Sequence, residues 1–173
     1  MATFIHLADE RVAGRIRRGG IRATMFEGRR RDVTGLRRGI FCVPVVANFQ
    51  TTFQWLRELK RRGHTRVCGI QFRIDDAELV FVGHYNQRPR EMTAAQSVAL
   101  FLRTEDPRGL QVVVPRTICA REITGVRAIP QVIGWRFYPA AKGRSPLWPA
   151  NGSINASRLR RRIEQLNKSP WEV

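Results

Sequence analysis

The chain has 173 residues, 19.9 kDa and 43% apolar residues, enough for one domain with a buried core and too apolar for general disorder. Its formal net charge is +17 and its pI about 11.6; of the 31 basic residues only Lys60, Lys142 and Lys168 are lysines, leaving 28 arginines. No apolar run approaches the roughly 20 residues that span a bilayer, no signal peptide is visible in MATFIHLADE, and three scattered cysteines and three scattered histidines make a poor disulfide frame or metal site, so a cytoplasmic protein with no membrane partner, no metal and three buried cysteines is expected.

Phe4-Ile5-His6-Leu7 is a strand-forming run interrupted by one imidazole, and Asp9 can accept the first free N–H groups of a following helix. Val12 and Ile16 share a face of that helix, Arg17 and Arg18 suit its C-terminal end, and Gly19-Gly20 stops it. A histidine just before such a helix either turns a ring nitrogen into a cleft or satisfies a backbone group as a core or edge residue. Residues 21–39 hold Arg22, Arg29, Arg30, Arg31, Arg37 and Arg38 with few apolar positions, the composition of a surface flap. Residues 39–46 read as a buried strand that ends near Pro44.

Asn48 or Thr51 caps a helix over 52–62, with Phe53, Leu56 and Leu59 facing inward and Gly63 beyond its end. Its charged end, Arg57-Glu58-Leu59-Lys60-Arg61-Arg62, is either a solvated face or a phosphate grip. Residues 67–74 alternate as a strand, Asp75-Asp76 forms a turn, and residues 78–82 return as the second arm of a hairpin. Polar residues 83–87 then leave the sheet, and Thr93 caps a helix to Leu102 that buries Val98, Phe101 and Leu102. Residues 110–114 form a strand closed by Pro115; Ile118, Ile123, Val126 and Ile129 continue into another, and residues 133–138 form a last strand. A Pro/Gly-punctuated stretch leads to a basic helix over 156–166.

This order predicts the α+β class with mostly antiparallel strands, in a domain over 1–140 followed by a Pro/Gly-rich segment and basic helix over 141–173. No Gly-rich phosphate loop follows a strand, which excludes a Rossmann or P-loop reading. Arginine grips phosphate through two parallel N–H bonds, so the charge points to DNA or RNA. Arginine bias also follows genomic nucleotide composition, and a high pI alone speaks only of non-specific attraction.

Three stretches carry a resemblance: Phe4-Ile5-His6-Leu7-Ala8 with a helix and glycines after it; Gly39-Ile40-Phe41-Cys42-Val43-Pro44 with a helix after it; and Gly109-Leu110-Gln111-Val112-Val113-Val114-Pro115, then Glu122-Ile123 and Val126. In this order, over residues 4–130, the chain resembles the ADP-ribosyltransferase superfamily, nearest the DarT-type DNA-modifying toxins and the RNA 2′-phosphotransferases. The resemblance implies a split, mostly antiparallel sheet with flanking helices around an NAD cleft. It implies that His6 holds a ribose hydroxyl or the carboxamide of NAD, and that Phe41 or Tyr85 packs on the nicotinamide. It further implies a carboxylate on the late strand that stabilises the positive charge growing as the glycosidic bond breaks.

The chain departs from that pattern at Gln111, which occupies the glutamate position without a charge and cannot serve as a base. Three explanations compete: a binding module that has lost turnover; another carboxylate, of which Glu122 is the nearest unless it only pairs with Arg121 or Arg116; or a subgroup that relies on arginines and histidine, as the phosphotransferases do. A second departure is Val45, Val46 and Asn48 where the DarT-type toxins carry an NAD-gripping arginine. The first reading is therefore an NAD-dependent ADP-ribosyltransferase-like enzyme, its site impaired by Gln111. It acts on a nucleic acid or nucleotide steered by Arg29, Arg30, Arg31, Arg61 and Arg62. The alternative is a non-catalytic nucleic-acid-binding domain on the same scaffold, with phosphotransferase-like RNA chemistry ranked last.

Overall fold

Apolar residues fall on both parities of the central strands, and two clusters cover the sheet from opposite sides. In β1 (Ala2–Asp9), Ala2, Phe4 and Ala8 enter the larger cluster, while Ile5 enters the smaller one and Leu7 packs against it. In β4 (Val67–Ile74), Cys68, Ile70, Phe72 and Ile74 join the larger cluster and Val67 the smaller. A computed structural model describes residues 1–25, 38–61 (the backbone alone at 61), 63–85, 87–132 and 134. Contacts divide the chain into Met1–Phe137 and Tyr138–Val173, and every described residue lies in the first unit.

The remaining strands are β2 (Thr24–Met25), β3 (Arg38–Pro44), β5 (Leu79–His84), β6 (Arg90–Thr93), β7 (Leu110–Val114) and β8 (Ile123–Ala128). They run in the order β6-β5-β7-β3-β1-β4-β8, with β2 on β3, and every described pair is antiparallel. The chain is therefore α+β, with an antiparallel sheet of eight strands among the described residues. Among the described residues the helices are α1 (Ala13–Gly19), α2 (Phe49–Thr52), α3 (Leu56–Arg61) and α4 (Ala94–Arg103). None of these is long and apolar enough to cross a membrane.

Local signals set most of the ends. Asp9 accepts the Arg11 backbone N–H at 3.0 Å and starts the 3-10 turn Glu10–Val12 that leads into α1. Gly20 closes α1 at φ +82°, donating to the Ile16 carbonyl, and a Cβ there would collide with the Ile118 carbonyl oxygen. Thr93 and Gln96 cap α4 reciprocally, the Thr93 hydroxyl taking the Gln96 N–H and the Gln96 side chain the Thr93 N–H.

Four expectations need correction. Residues 67–82 are not a hairpin: β4 lies between β1 and β8, and β5 between β7 and β6. Both edges of each strand are taken, and the connecting Asp75-Asp76-Ala77-Glu78 has no glycine for a tight two-residue turn. The partner of β5 in sequence is β6, which the polar composition of residues 90–93 conceals. The helix expected over 52–62 is two helices, broken where Gln54 turns inward to the loop before β7. Leu102 is 66% exposed, because α4 buries the stripe Ala94, Ser97 and Phe101 instead, and Cys119 is exposed while Cys42 and Cys68 are buried. The strand over 133–138, the helix over 156–166 and most of the basic flap lie outside the described residues.

Candidate functional site

Along its whole length β1 pairs with β4, from Ala2↔Ile74 to Asp9↔Val67. With β3 it pairs only at Phe4↔Pro44 and Ile5↔Val43. Continued, that register would set His6 against Cys42 and Leu7 against Phe41, but the strands part there. The His6 imidazole bridges the gap, its Nδ1 2.8 Å from the Phe41 carbonyl oxygen. A carbonyl only accepts, so Nδ1 carries the proton and Nε2 is left with a lone pair.

A cleft opens at this parting. One wall is Ile5, His6 and Leu7 of β1; the other is Phe41, Cys42 and Val43 of β3. Gln111 of β7, Tyr85 just beyond β5, and Trp55, Glu58 and Leu59 at the start of α3 complete it. The cleft has a volume of about 180 Å³, smaller than the roughly 300–1,000 Å³ of whole small-molecule sites. Gln111 faces the cleft because Phe41 lies opposite Val113 on β7, and Gln111 lies two residues from Val113 on the same face.

The α2–α3 segment is fixed over the cleft by the loop before β7. Buried Gln54 donates to the Pro107 carbonyl at 3.2 Å and accepts from the Gly109 N–H at 2.6 Å. The indole N–H of Trp55 donates to the Leu110 carbonyl at 3.2 Å, and its ring lies against Tyr85 with centroids 5.5 Å apart. Tyr85 is held in turn by its own N–H on the Gly109 carbonyl. Gly109 adopts φ +88°, and a Cβ there would strike the His84 ring, whose Nε2–H donates to the Arg108 carbonyl.

Burial lowers the His6 pKa, and the Phe41 carbonyl opposes this more weakly, so the ring is neutral at pH 7. Neither Nε2 of His6 nor the Gln111 amide has a hydrogen-bond partner among the described residues, where no buried side-chain nitrogen or oxygen lacks one. Both groups therefore reach solvent in the cleft. One offers an acceptor, and the other a donor and an acceptor.

Of the residues singled out from the sequence, His6, Phe41, Tyr85 and Gln111 meet in this one cleft. Glu122 does not line it. Its carboxylate takes both terminal nitrogens of Arg116 at 2.6 and 2.9 Å and the Cys119 N–H at 2.7 Å, and Arg116 also grips Glu78. The Arg116 guanidinium holds the Glu122 pKa below the usual carboxylate range. Arg29, Arg30, Arg31 and Arg62 lie outside the described residues, and Arg61 is described only as the last residue of α3.

Sequence reasoning missed Trp55 and Glu58. Glu58 is only 3% exposed although it stands in a run of charges. The available signal was spacing: Trp55, Glu58 and Leu59 fall at i, i+3 and i+4, so the acid shares a helix face with two apolar side chains. In comparisons with models of protein families, with curated proteins and with solved structures, nothing matches this chain.

Proposed function

We propose that the cleft binds NAD and that the protein is an ADP-ribosyltransferase-like enzyme acting on a nucleic acid or nucleotide. One observation carries the reading: the three positions marked by the resemblance, His6, Phe41 and Gln111, stand on three neighbouring strands and line a single cleft. Its donor set suits the ligand. The rings of Phe41, Trp55 and Tyr85 give apolar faces for a nicotinamide. Nε2 of His6 can accept from a ribose hydroxyl or the carboxamide, and the Gln111 amide can bond a ribose hydroxyl. The net charge of +17 supports a phosphate-rich acceptor.

The test is calorimetric titration with NAD, together with chromatographic detection of released nicotinamide, for the wild type and Gln111→Glu. Saturable binding with release by either protein supports the enzyme. If neither binds NAD, the reading fails. The uncharged Gln111 favours a second reading, a nucleic-acid-binding domain without turnover. That reading expects oligonucleotide affinity that falls steeply with added salt and no nicotinamide release; salt-independent binding would exclude phosphate contacts.

A further inference from the structure

We infer that Glu58 is the catalytic carboxylate of this cleft, doing from helix α3 what Gln111 cannot do from β7; the inference rests on the NAD reading above. Glu58 is the one acid among the described residues that line the cleft, and it is only 3% exposed. It stands one helical turn beyond Trp55, whose indole is bonded to the carbonyl of Leu110, the residue beside Gln111. Gln54 ties the same segment to Pro107 and Gly109. Three hydrogen bonds thus tie the residues that lead into the acid's helix to the loop before β7 and to the first residue of β7. A carboxylate in such a poorly solvated place acts on nearby positive charge more strongly than one in water.

The step balances without a further reactant. The bond between the ribose C1′ and the nicotinamide nitrogen breaks, and nicotinamide leaves with the electron pair. The positive charge at C1′ faces the Glu58 carboxylate. Water, or a hydroxyl or ring nitrogen of the acceptor, bonds to C1′ and gives its proton to Glu58, which returns it to solvent. With water the products are ADP-ribose, nicotinamide and one proton.

The experiment compares wild type with Glu58→Gln, which keeps side-chain volume and removes the charge. Calorimetry reads NAD affinity, and single-turnover chromatography reads nicotinamide release. The expected result is NAD affinity within about threefold of wild type, with release slowed by about a hundredfold or more. Release within about twofold of wild type in a Glu58→Gln protein that still binds NAD overturns the assignment. So does a wild type that binds NAD and releases nothing. A wild type that does not bind NAD refutes the parent reading and this one with it, and the titration alone identifies that case. If Glu58→Gln does not fold, Glu58→Asp decides: it keeps the charge but withdraws it by one methylene. Release slowed by about tenfold at retained affinity supports the role, and unchanged release overturns it.

Discussion

The His6 ring is neutral in the fold because burial opposes its charge more than the Phe41 carbonyl favours it, and acid should expose that imbalance. Above the unfolded-chain value of 6.5 the ring is neutral in both states and contributes no pH dependence. As the pH falls below that value the unfolded chain takes the proton first, so stability declines until the lower folded pKa is reached. A single proton limits the slope of this loss to about 1.4 kcal/mol per pH unit. At a urea m-value of about 2 kcal/mol/M, the midpoint should move down by at most about 0.7 M per pH unit. His6→Asn is the control: its amide can still donate toward the Phe41 carbonyl, but it does not titrate. His64, His84 and Glu58 are present in both proteins, so their effects cancel in the difference. Urea titrations at half-unit pH steps should show the wild-type midpoint falling faster than the variant's, by no more than that limit. Parallel curves would refute the claim that the fold holds the ring neutral, and a wild type that gains on the variant toward acid would reverse its sign.

Replacing Gln54 by alanine removes two hydrogen bonds, leaves the Gly109 N–H without its partner and opens a hole, so urea unfolding should show a loss of about 2–4 kcal/mol. The same variant should weaken the near-ultraviolet circular dichroism of the Trp55–Tyr85 contact. Gly109→Ala forces a Cβ onto φ +88° and into the His84 ring, and thermal unfolding should report a loss of about 1–3 kcal/mol. Arg116→Met leaves Glu78 and Glu122 together without their shared guanidinium. Discounted for the solvent that reaches Arg116, this should cost about 1–2 kcal/mol at pH 7. Because the Glu122 pKa is lowered in the fold, its contribution is present above the ordinary carboxylate range and disappears as pH falls toward the folded value. The penalty of Arg116→Met should therefore shrink in acid while NAD affinity stays unchanged, since the cluster does not line the cleft.

The features legible in the sequence were those that a few neighbouring residues decide. Asp9 before a helix, Thr93 three residues ahead of Gln96, and Gly20 after Ile16 each satisfy a terminal N–H or carbonyl nearby, and each boundary lies within a residue or two of its expected position. Strand pairing was not legible in the same way. Residues 67–74 and 79–84 both alternate correctly, but alternation says which face is buried and not which neighbour the edge takes, so two strands in different parts of the sheet read as one hairpin. The helix over 52–62 failed for a related reason, because the break at Gln54 is made by Pro107 and Gly109, more than fifty residues away. Glu58 was hidden by its company. Four basic neighbours within residues 57–62 gave the stretch a solvated look, and only its spacing from Trp55 and Leu59 marked the buried side.

His6 is tied to the architecture more closely than its spacing indicated. Where β1 and β3 part, the ladder between them gives way to a side-chain bond to the Phe41 carbonyl. Leucine or valine at position 6 could not make that bond, whereas an imidazole reaches the oxygen with Nδ1–H and still has a second nitrogen to present. The bond that lets the sheet open is thus the bond that selects the tautomer, and the lone pair on Nε2 follows from how the gap is bridged. The acceptor stands in the cleft because the histidine bonds across the same interruption in the ladder at which the cleft opens.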